Sequence, residues 1–86
     1  MSKLKKALTH FILHAKELGL PEQHYLQAIE FVEYNEPALA FDRVITQMYE
    51  DDIPINESFY GQAVTIANMM SISETEYTYL QQLIKE

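Results

Sequence analysis

This chain has no cysteine and no tryptophan, and its 86 residues include only two glycines and three prolines. Without cysteine there is neither a disulfide framework nor a thiolate metal site. No apolar run approaches the ~20 residues needed to cross a bilayer, so no membrane association is expected. The N-terminal MSKLKKAL is basic but is not followed by a signal-peptide core or a small-residue cleavage site. A cytoplasmic protein is the expectation. Cations are scarce as well, with six Lys and Arg against thirteen Asp and Glu, a net charge of −7. The imbalance is uneven: Lys3, Lys5, Lys6 and Lys16 outweigh Glu17 in the first nineteen residues, and the remainder sets Arg43 and Lys85 against twelve acids. Such a surface repels nucleic acid phosphates and anionic lipid, excludes both as partners, and attracts basic proteins.

What the chain does have is apolar residues, nearly half of it, spaced for helices. The length allows one domain, residues 1–86, with a single core. A first helix is predicted over Ser2–Leu18, with Leu4, Ala7, Leu8, Phe11, Ala15 and Leu18 on one side and Ile12 at the edge. Gly19 ends it in a left-handed conformation and Pro21 opens the next. The second helix, Pro21–Tyr34, is expected to bury Tyr25, Leu26, Ile29 and Val32. The third, Glu36–Asp51, turns Ala38, Phe41, Val44, Ile45, Met48 and Tyr49 inward and leaves Leu39, Asp42, Arg43, Thr46 and Glu50 outside. Ile53-Pro54-Ile55 reads as an extended connector. Asn56 caps a fourth helix, Glu57–Met70, with Phe59, Tyr60, Ala63, Ile66, Ala67 and Met70 inward. Gly61 within it is read as marking a close helix crossing. Ser73 and Glu76 have the spacing of a capping box for a last helix, Glu74–Lys85, burying Tyr77, Leu80, Leu83 and Ile84. About five short amphipathic helices joined by brief connectors predict an all-α domain.

Catalytic signatures are missing. The chain has no glycine-rich phosphate loop, no metal-ligand cluster and no nucleophile arrangement that spacing supports. His10 and His14 stand four apart but have no third ligand, so they read as solvated histidines. No enzyme, cofactor or metal is expected. A binding role is expected instead, centred on EFVEYNEPALAFD, Glu30–Asp42, where acids and aromatics crowd a helix end, a tight joint and a helix start. Carboxylates at the joint meet the positive end of the third helix dipole. Glu50, Asp51 and Asp52, in contrast, occupy the end of that helix where the dipole disfavours negative charge, a placement stability alone does not select. The expected binding surface is therefore Glu33, Tyr34, Glu36, Leu39, Asp42 and Glu50, with Asp51 and Asp52 at its rim. The competing reading is a solvated joint with Tyr34 in the core.

The progression LGLPE, then AIEFVEYNEPALAFDRVITQMYEDDIPI, then FYGQAVTIANMMSI, resembles the small helical immunity proteins of contact-dependent growth inhibition, and is most similar to the MafI-like group. The similarity spans roughly Leu18–Ile84 and rests on hydrophobic spacing, the "A-L-A-x-D" helix start and the acidic helix end before "I-P-I". It implies an intracellular protein that binds and blocks one cognate toxin domain, usually a nuclease, with Glu33, Glu36, Leu39 and Asp42 on the shared acidic joint. The neighbouring tyrosine pair followed by proline that marks nuclease-colicin immunity proteins is absent. The alternative is a helical adaptor or assembly subunit docking through Phe31, Tyr34 and Tyr79.

Overall fold

Ser2 opens the first helix, its hydroxyl oxygen accepting from the Lys5 backbone N–H at 3.0 Å and satisfying a free donor of the first turn. In the computed structural model, which describes residues 2–85, α1 runs Lys3–Leu18, α2 Glu22–Glu33, α3 Pro37–Glu50 and α4 Glu57–Met69. Two 3-10 turns follow, Glu74–Glu76 and Thr78–Leu83. The domain is all-α; among the described residues the only sheet-like pairing is an isolated parallel bridge between Ile55 and Ile84. Met1 and Glu86 lie outside the described residues.

All four α-helices stop in the same way. A residue with positive φ follows each: Gly19 (129°), Asn35 (59°), Asp52 (52°) and Ser71 (57°). The next backbone N–H then reaches back to a carbonyl five residues earlier: Leu20 to Ala15, Glu36 to Phe31, Ile53 to Met48 and Ile72 to Ala67, at 2.8–3.0 Å. This arrangement satisfies the last carbonyls and normally brings two apolar side chains together across the turn. Three of the four pairs are apolar. The α2–α3 joint departs, with exposed Glu36 opposite Phe31.

Phe11 is the centre of the core, stacked on Phe59 with ring centroids 4.5 Å apart and on Phe41 at 5.5 Å. Leu8, Ile12 and Ala15 of α1, Ala40, Val44, Ile45 and Met48 of α3, and Ala63, Ile66 and Ala67 of α4 close around them, all buried. Full burial of side chains like Phe11 stabilises by about 1.5–3 kcal/mol each, the main term holding a fold without disulfides.

The structure corrects several expectations. The last segment is helical but wound as 3-10. Its N–H groups bond three residues back, as in Glu76 to Ser73 and Leu80 to Tyr77, at 3.0 Å. At three residues per turn Tyr77, Leu80 and Leu83 stack in one buried row. The end of the segment is tied to the connector, with Ile55 N–H donating to Leu83 C=O and Lys85 N–H to Ile55 C=O, both at 2.9 Å. The capping box does not form, because the Ser73 hydroxyl pairs with that of Thr75 at 3.1 Å instead.

Leu26, expected inside, is 55% exposed, and the second helix buries Ala28 and Val32 flanked by half-buried Tyr25 and Ile29. Ala28 is small enough for α2 to pack closely on α1 and α3. In α3, Ala40 takes the buried place expected for Ala38, and Tyr49 is 42% exposed. Gly61 marks no close crossing, since a Cβ there would meet nothing within 4 Å. His14 is half-buried rather than solvated: its Nδ1 pairs with Gln62 Oε1 and its ring sits edge-on to Phe59.

Candidate binding surface

The joint is built by Asn35. Its positive φ reverses the chain, the Glu36 N–H closes back on Phe31 C=O at 2.8 Å, and Pro37 starts α3 where its missing N–H is not needed. Glu33 ends α2, and Tyr34 projects just beyond it. At 74% exposure Tyr34 is not a core residue. The eight predicted residues are all exposed, and Leu39, at 47%, is the apolar side chain among them.

The outer face of α3 connects the joint to the second acidic patch. Leu39, Asp42, Thr46 and Glu50 follow one another at helical spacing, and the Thr46 hydroxyl lies 3.4 Å from Asp42 Oδ1. With 1.5 Å of rise per residue, Glu36 and Asp51 stand roughly 20 Å apart. They are therefore separate patches joined by a stripe, a span that one interface of about 800 Å² per partner covers. Among the described residues the only ion pair is Lys16 with Glu22 at 3.7 Å, remote from this face. Its carboxylates are thus uncompensated by cations in contact, and they project a negative field into solvent.

Two grooves flank Leu39 and Asp42. One lies towards α2, lined by Phe31, Leu39, Asp42, Arg43, Thr46 and Gln47. The other, of about 260 Å³, lies towards the C-terminal segment, with Phe41, Ile45 and Ile72 in its lining beside Leu39, Asp42 and Glu76. Tyr79 adjoins the same face, its ring edge-on to Tyr49 at 4.8 Å, while the Tyr49 hydroxyl donates to Gln82 Oε1 at 3.4 Å. Burial pushes the Tyr79 phenol up from its ordinary pKa. The nearby Asp42 carboxylate, Tyr49 and the Glu50 carboxylate push the same way, and hydrogen bonding to Thr46 partly offsets them.

Ile72, Glu76 and Tyr49 are the members of this surface that sequence reasoning missed. Ile72 and Glu76 lie more than twenty residues beyond the end of α3, and tertiary packing alone brings them there. Phe31 and Tyr79 are half-buried against the domain itself, so of the three aromatics proposed for docking only Tyr34 stands free. His10 is exposed, and among the described residues no group of three or more His, Cys, Asp and Glu side chains is placed to hold a metal ion. No helix among the described residues is long and apolar enough to cross a membrane. Comparison with protein-family models, with curated proteins and with solved structures returns no match.

Proposed function

We propose that this chain is an immunity protein, a stoichiometric inhibitor that binds and neutralises a cognate toxin domain in the cytoplasm, the toxin being a basic nuclease. The observation that carries the reading is the set of exposed acids along the α2–α3 joint and the outer face of α3, none of them in an ion pair with a described cation, with exposed Tyr34 and Leu39 among them. A nuclease has to be positively charged to hold its substrate, so an acidic partner competes for that same surface. Glu36 adds support. At the four helix ends the residue making the closing hydrogen bond is apolar in three, and in the fourth Glu36 puts an exposed carboxylate at the joint instead. The role is binding rather than catalysis, and needs no cofactor.

The test is co-expression with the toxin-domain product of the adjacent reading frame, followed by nuclease assay and calorimetry of the purified pair. Wild-type protein should co-purify at one to one and abolish nuclease activity. Tyr34→Ala should weaken binding by about 2 kcal/mol, the scale of a tyrosine hot spot, at unchanged melting temperature. Glu33→Lys with Asp42→Lys should weaken it further. Association should slow with added salt, because exposed charges act on the encounter rate. Full inhibition by the double-lysine protein would refute the surface, and failure to bind any adjacent toxin domain would refute the inhibitor.

A further inference from the structure

Of the two grooves beside Leu39, only one has a charge that selects an occupant. The groove towards α2 includes the Arg43 guanidinium as well as Asp42, so an incoming cation meets repulsion there. The groove towards the C-terminal segment has two ionisable groups in its lining, Asp42 and Glu76, and both are carboxylates. Neither is in an ion pair with any described cation. The remaining lining is almost wholly apolar, with Leu39 half-exposed, Ile72 half-buried and Ile45 beneath. An apolar trough edged by two unpaired carboxylates fits a side chain with a long aliphatic stem and a cationic head.

We propose that this groove seats an arginine side chain of a basic protein partner, its stem along Leu39, Ile45 and Ile72 and its guanidinium held by Asp42 and Glu76. The proposal rests on the reading of this face as the surface for a basic protein, and it names the group recognised. Arginine suits the site better than lysine. Its planar, weakly hydrated guanidinium donates to two carboxylates at once, whereas an ammonium keeps its water and gains little from an apolar trough. The inference also gives the C-terminal segment a recognition role that α3 cannot fill alone.

The probe is the tripeptide acetyl-Gly-Arg-Gly-amide, titrated to tens of millimolar against methyl-labelled protein and followed by NMR. Saturable shifts confined to the Leu39, Ile45 and Ile72 methyls are expected. They should disappear in Asp42→Asn/Glu76→Gln, a variant of two exposed side chains whose unchanged melting temperature certifies the fold. The citrulline tripeptide, which keeps the stem and loses the charge, should give no saturation, and the lysine tripeptide should bind at least several-fold more weakly. Equal shifts with citrulline, shifts spread over the whole acidic surface, or shifts centred on the Thr46 methyl in the opposite groove would each overturn the proposal. Because the tripeptide needs no toxin, a protein that binds it yet refuses the toxin domain would leave this site standing and sink only the inhibitor.

Discussion

Replacing Asp52 with glycine should make this protein more stable, and the structure allows the gain to be divided into its causes. Asp52 follows α3 with φ at 52°, a conformation that costs an L-residue about 1–2 kcal/mol, with aspartate at the low end. Its N–H bonds Tyr49 C=O at 3.1 Å and the following N–H bonds Met48 C=O at 3.0 Å, backbone contacts that glycine keeps. Aspartate also adds a third negative charge, after Glu50 and Asp51, at the negative end of the α3 dipole, worth a few tenths of a kcal/mol in an exposed, screened position. Against these, glycine's freer unfolded chain returns part of the gain. The net expectation is about 0.5–1 kcal/mol, or roughly 3–6 °C in Tm for a domain of this size. Thermal unfolding followed by circular dichroism measures it. Asp52→Asn, which tolerates the same φ but lacks the charge, should recover only the electrostatic fraction, and high salt should erase that fraction while leaving the glycine advantage. A lower Tm for Asp52→Gly, or an asparagine variant that gains as much as glycine, would refute the reasoning.

Gly61→Ala should also stabilise, by about 0.5–1 kcal/mol, because the site is an exposed helix interior with open space around the added methyl; urea unfolding checks it. Phe11→Ala removes the ring stacked between Phe41 and Phe59 and should cost about 3–5 kcal/mol, enough to leave much of the protein unfolded at 37 °C by circular dichroism. Tyr79 and Tyr60 have phenol pKa values raised above 10.0, chiefly by burial, so the folded state holds these protons more tightly than the unfolded chain. Their contribution is complete below pH 10 and is lost as pH rises through the folded values; chemical denaturation across pH 9–12 should show that decline, shallower in Tyr79→Phe.

The helices were legible because their apolar rows are long and their ends punctuated. Ser2, Gly19, Pro21, Pro37 and Asn56 each act as their chemistry dictates. Leu26 misled because periodicity weighs hydrophobicity, and Ala28, the residue α2 needs at its crossing, contributes little of it. Tyr77, Leu80 and Leu83 fit a row at spacing three in either kind of helix, so the pattern specified burial but not winding. The end of the segment is also held by hydrogen bonds to Ile55, about thirty residues away, and no local signal carries those. The same limit holds for the surface. Tyr34, Leu39 and the acids were readable as exposed, since they fall off the apolar rows, whereas Ile72 and Glu76 enter the groove through tertiary packing.

The bridge between Ile55 and Ile84 has a consequence for the order of events during synthesis. Tyr77, Leu80 and Leu83 fill the core last, and the hydrogen bonds that hold their segment reach back to a connector made thirty residues earlier. Until Lys85 has been added, the four α-helices carry an open apolar side and a groove without its second wall. Lesions between Glu74 and Leu83 are therefore expected to lower the stability of the whole domain, because they strip the Tyr77, Leu80 and Leu83 row from its core.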